Sequence, residues 1–124
     1  MNIFLWVLQV LLALVFLAVG GGKVIGGREM SLKRGLKYAE DFTDMQIRLI
    51  GLAELLGGLG LILPAATGIA PVLTPLAATG LAITMLGGTI VHIRRNEMKE
   101  AVVPAVLMVL AVIVAWGRFG PYAF

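Results

Sequence analysis

The stretch Ile47–Pro64, IRLIGLAELLGGLGLILP, decides how this chain is read. At about 1.5 Å of rise per residue it is long enough, as a helix, to cross most of a bilayer's hydrocarbon core. One acid, Glu54, sits near its middle. Insertion scales penalise a charged side chain at that depth by about 2.5–3.5 kcal/mol, so such a residue normally faces protein or water and has a partner. At helical spacing Ile47, Gly51, Glu54, Gly58 and Leu61 share one face. Gly51 and Gly58 flank the acid by about one turn each, and small residues mark close helix contact in lipid. Glu54 is therefore expected to point into a bundle, roughly 10 Å inside one end of its helix.

Three further apolar runs lie at about Ile3–Gly22, Val72–Val91 and Ala101–Gly117. The expected fold is all-α: a four-transmembrane-helix bundle forming a single membrane domain over residues 1–124. Composition agrees, with 60% hydrophobic and 14% charged residues, against about 45–50% and 25% in soluble domains. The first run is expected to be a retained helix and not a signal peptide. No positive charge precedes it, and it exceeds the usual apolar segment of about 7–15 residues. Pro64, Thr67-Gly68 and Pro71 are expected to make the turn after helix 2. Pro75 and Pro104 fall where early helical turns tolerate proline.

The net charge of +3 says less than its distribution. Lys23, Arg28, Lys33, Arg34, Lys37 and Arg48 lie between helices 1 and 2, and Arg94, Arg95 and Lys99 between helices 3 and 4. The other side has Arg118. The positive-inside rule puts both charged loops in the cytoplasm and both termini outside. Trp6 and Trp116 then mark an outer aromatic belt, with Phe119 and Tyr122 beyond. The charge pattern reads as membrane topology and gives no nucleic-acid partner.

Residues Met30–Met45 carry a helical pattern of their own. Leu32, Leu36, Tyr38, Ala39, Phe42 and Met45 cover one side, and Lys33, Lys37, Glu40, Asp41 and Asp44 the other. With Ser31 as N-cap, the pattern predicts a short cytoplasmic amphipathic helix, acting as an interfacial connector or as a lid over the bundle, with a disordered segment as the remaining reading.

Three helices direct polar groups toward the same inner-leaflet region. Helix 1 ends with Lys23 on the face of Phe16 and Gly20, and helix 3 ends with His92 on the face of Thr84 and Gly88. Lys23, Glu54, Thr84 and His92, with Arg48 at the mouth, form the candidate polar cluster for a ligand. Two structural readings stand beside it: Lys23, Arg48 and His92 as interfacial anchors, and Glu54 as an ion-pair partner locking helices 1 and 2. The Gly80, Thr84 and Gly88 stripe fits packing within one chain or a homodimer. With no cysteine and one histidine, no metal site is expected, and disulfide chemistry is excluded. Ser31 is the only serine, so no serine–histidine–acid set exists. Gly20-Gly21-Gly22 lacks the strand–helix setting of a dinucleotide loop.

Taken in order, Gly20-Gly21-Gly22-Lys23-Val24, the Arg48–Pro64 segment, Gly80-Leu81-Ala82-Ile83-Thr84-Met85-Leu86-Gly87-Gly88 and His92-Ile93-Arg94-Arg95 resemble the DoxX family, and more closely its DoxX-like branch. The resemblance implies a small four-helix protein of a bacterial or archaeal plasma membrane, serving as an oxidoreductase component linked to thiosulfate, quinone or thiol-stress chemistry. It supports Lys23, Glu54 and His92 as members of an inner polar cluster, with Arg48 adjoining. It implies a quinone as ligand and a membrane or redox subunit as partner.

Three functions are then distinguished. In the first, Lys23 and His92 donate to a carbonyl of a small apolar ligand, Glu54 orients the lysine or accepts a proton, and Phe16 and Met85 supply walls. The second is a non-enzymatic assembly or stabilising subunit. The third is a proton-coupled small-molecule exporter, although small multidrug transporters carry their essential acid in helix 1.

Overall fold

A computed structural model describes residues 2–123. Its long helices are α1 (Asn2–Lys33), α2 (Asp44–Thr67), α3 (Leu73–Arg94) and α4 (Met98–Phe119), with one 3-10 turn at Lys37–Asp41. All four are long and apolar enough to cross a membrane. α1 packs chiefly on α2 and α3 on α4, and α2 joins the two pairs by packing on α3. Leu12, Phe16, Leu61, Leu81 and Val114 lie almost fully buried between them. Many other Leu, Ile and Val side chains face outward, as expected for a bundle whose solvent is hydrocarbon.

The closest approach is between α1 and α2. A Cβ on Gly20 would stand 2.6 Å from the Gly51 carbonyl oxygen and 2.7 Å from the Leu55 nitrogen. A Cβ on Gly51 would stand 2.5 Å from the Lys23 Cβ. The glycine run that seemed to close helix 1 at Gly22 is therefore a crossing point, and α1 continues to Lys33. In lipid a helix gains nothing by stopping at glycine, because its freed backbone groups would find no water.

The break comes at Gly27, with φ 62° and ψ −151° inside α1, a conformation that glycine adopts without a Cβ penalty. α2 satisfies the groups it releases. Arg48 Nη1 donates to the Val24 carbonyl at 2.6 Å and the Ile25 carbonyl at 3.4 Å. The Arg28 amide donates to Asp44 Oδ1 at 2.9 Å. Arg48 and Asp44 are themselves paired at 2.8 Å. One ion pair thus caps both halves of the kinked helix.

The amphipathic helix predicted over Met30–Met45 does not form. Ser31 is not an N-cap; it lies inside α1 and donates to the Gly27 carbonyl at 3.0 Å. Gly35, at φ 81°, turns the chain out of the helix. The 3-10 turn follows, and Thr43 then starts α2 with a capping box to Gln46. The periodicity misled because its members serve three different elements. Leu32 and Lys33 extend α1, Ala39 is buried in the turn, and Asp44 opens α2.

Pro64 does not end α2, which runs on to Thr67 and closes at Gly68 in the left-handed region. A proline at that position leaves the Gly60 carbonyl without its usual i+4 donor. Buried Thr74, at the start of α3, supplies a replacement through Oγ1 at 3.0 Å. Pro75 lies in the first turn of α3, whereas Pro104 lies a turn deeper because α4 begins at Met98. Thr74→Val is expected to lower stability by about 1–2 kcal/mol in a reversible unfolding titration. Thr89→Val, which removes a bond only to the Met85 carbonyl of its own helix, is expected to cost less.

Candidate functional site

Lys23 and Glu54 meet as the adjacent crossing of α1 and α2 dictates. Gly20 and Gly51 let the backbones close, and the side chains one turn away are brought together, with Lys23 Nζ 2.6 Å from Glu54 Oε1. Only 1% of Glu54 and 8% of Lys23 remain exposed, so the pair is shielded from the surroundings.

This pair forms one end of a cavity of about 540 Å³, within the usual range for small-molecule sites. Thr84, Met85 and His92 from α3 line it, as does Phe16 from α1. Four of the five candidate residues, Lys23, Glu54, Thr84 and His92, therefore share one cavity. Arg48 does not line it and is engaged at the α1 kink. Thr84 Oγ1 donates to the Gly80 carbonyl at 2.9 Å, which leaves the hydroxyl oxygen's lone pairs for other donors. Within the glycine stripe, a Cβ on Gly80 would meet nothing within 4 Å, whereas Gly88 faces Pro104 of α4.

The segment between α1 and α2 closes the Lys23 end, with Leu36, Tyr38 and Phe42 in the lining. Tyr38 is the residue that sequence reasoning missed, having been counted only as part of an apolar side. Its ring packs edge-on against His92 with centroids 5.4 Å apart, and Lys23 Nζ stands 5.6 Å from the ring centre. Arg28 Nε holds the Ala39 carbonyl at 3.0 Å from one side. Arg95 holds Asp41 at 2.7 Å and Glu40 at 3.5 Å from the other. The hydrogen bond to Asp41 raises the Arg95 pKa further, so this latch keeps its charge. Glu97 accepts from Arg95 Nε at 3.3 Å and lies 3.0 Å from His92 Nδ1. When Glu97 is ionised, His92 Nδ1 carries the proton, and a neutral ring then offers Nε2 as an acceptor.

A second polar group lies at the opposite end of the bundle. Gln9 is fully buried in α1, donates to the Leu61 carbonyl at 2.7 Å and accepts from Arg118 Nε at 2.8 Å. Arg118 also donates to Asn2 Oδ1 at 2.6 Å and to the Tyr122 carbonyl at 2.9 Å. This set ties α1, α2 and α4 together. Its sequence signal was a glutamine inside an otherwise apolar run.

Four apolar spans with ionisable groups turned inward define an integral membrane protein whose solvent is the lipid bilayer. The DoxX-like family model matches residues 7–114, and the chain belongs to that family. Neither the curated proteins nor the solved structures gave a match.

Proposed function

We propose that this chain binds, at the Lys23 end of its bundle, a small apolar molecule carrying an acceptor oxygen, with a quinone as the leading example, and serves a membrane redox system. The observation that carries the reading is a buried Lys23–Glu54 pair opening onto an otherwise apolar cavity shared with His92. An ammonium has three donors and Glu54 engages one of them. A second can reach a ligand carbonyl while the carboxylate balances the charge. The His92–Glu97 pair suits the hydroxyl form of the same ligand, since a neutral imidazole oriented through Nδ1 accepts at Nε2. Lys23 thus serves the oxidised form and His92 the reduced one. With no cysteine in this chain, any electron transfer would use the bound quinone itself or another subunit. The positive-inside bias would put the charged loops in the cytoplasm and the cavity in the inner leaflet.

The test is equilibrium binding of a tailless benzoquinone to the protein in nanodiscs, with empty nanodiscs as reference. Saturable binding is expected, weakened at least about tenfold, or about 1.4 kcal/mol, in Lys23→Met and in Lys23→Met/Glu54→Gln, which lacks both charges of the pair. Uptake no greater than by empty nanodiscs would refute the proposal, as would unchanged affinity in both folded variants. The scaffold reading predicts uptake no greater than by empty nanodiscs, together with co-purification of a partner that Glu54→Gln leaves intact.

A further inference from the structure

The cavity is elongated and its walls are not closed all round. Lys23 and Val15 both line it, and they lie eight positions apart on α1, about 12 Å along the helix. Polar groups gather at the Lys23 end, and beyond them the lining is almost wholly apolar. The Lys23 end is covered by Leu36, Tyr38 and Phe42, and the turn that carries them is latched by Arg28 and Arg95. The flank differs. Val15 and Val19 of α1 line the cavity yet are 39% and 40% exposed, and Ile83 of α3 and Val103 of α4 are 65% and 63% exposed. α1 meets α4 near the other end of the bundle, where Leu5 packs on Gly117. Between α1 and the α3–α4 pair lies a side opening at membrane depth.

From this opening we infer the class of ligand: an amphiphile whose polar head sits at Lys23 and His92 and whose apolar tail leaves sideways into the bilayer. The inference rests on the binding reading above and deepens it. An apolar molecule is already dissolved in the bilayer, so the flank admits it without crossing the ion-paired turn. A tail lying in the opening covers Val15, Val19, Ile83 and Val103 with the same hydrocarbon they face elsewhere. Gly87 widens the slot: it lines the cavity, is exposed, and a Cβ there would meet nothing within 4 Å.

Gly87→Phe therefore puts a ring into the slot while leaving Lys23, Glu54 and His92 in place. Gly80→Phe is the control, because Gly80 also has open space at its Cβ but lines a different groove on α3. The probes are a tailless benzoquinone and the same ring with a decyl tail, compared at equal mole fraction in the nanodisc lipid. Gly87→Phe is expected to weaken the tailed probe at least about tenfold and the tailless one less than about twofold, with Gly80→Phe changing neither. Equal weakening of both probes in Gly87→Phe, or no weakening of the tailed one, would overturn the inference while leaving the head site standing. Failure of wild-type protein to bind either probe would instead remove the reading beneath it.

Discussion

Lys23→Met is expected to destabilise the folded bundle by about 3–5 kcal/mol, and adding Glu54→Gln is expected to restore most of that loss. Removing one partner of a buried pair leaves the other charge uncompensated, which costs far more than the intact pair contributes. The geometry makes this site a severe case. The two groups are 2.6 Å apart, the acid is 1% exposed, and Gly20 and Gly51 hold the backbones too close for Glu54 to swing out to water. Lys23→Met, Glu54→Gln and the double substitution form a cycle that reversible unfolding in mixed micelles can read. A coupling above about 2 kcal/mol is expected. Single variants that each cost less than about 1 kcal/mol and add simply would mean that the pair is solvated.

Gly51→Leu is expected to cost about 3 kcal/mol or more and to abolish ligand binding with it. Overpacking ordinarily costs about 1–3 kcal/mol because side chains can shift. Here a Cβ at Gly51 would meet the Lys23 Cβ at 2.5 Å, the Gly20 carbonyl at 2.8 Å and the Val24 nitrogen at 3.0 Å. None of these is the free end of a flexible chain. The helices would have to separate, and the Lys23–Glu54 bond would open with them. Gly21→Leu is the matched control, since a Cβ at Gly21 meets nothing within 4 Å. The yield of folded protein and its unfolding midpoint report the difference. Similar behaviour of the two variants would contradict the crossing described for α1 and α2.

The parts of this fold that were legible in the sequence are those set by lipid. Four apolar runs gave four spans, and the face of Gly51, Glu54 and Gly58 gave the inward direction of the acid. Helix ends were less legible, because the usual punctuation loses force in hydrocarbon. Gly20–Gly22 and Pro64 look like stops in water, yet α1 and α2 continue through them, and the Gly60 carbonyl bypassed at Pro64 is met by Thr74. The segment between α1 and α2 was misread because periodicity reports faces and not tertiary partners. Asp44 looked like the polar side of a surface helix, although it caps Arg28 across the kink. Arg48 was expected at the mouth of the cluster, but its bonds to the carbonyls beside the Gly27 break were not predictable from the sequence. Tyr38 entered the cavity through a 3-10 turn whose geometry no residue pattern announced.

The most direct test of the central claim is native mass spectrometry of the protein extracted gently from its own membrane, beside the Lys23→Met/Glu54→Gln variant. Retention of one tailed, carbonyl- or hydroxyl-bearing molecule by the wild-type chain, and its loss from the folded variant, is the predicted result. A wild-type chain that emerges bare under conditions preserving bound lipid, or a variant that keeps the same molecule equally well, would contradict the account.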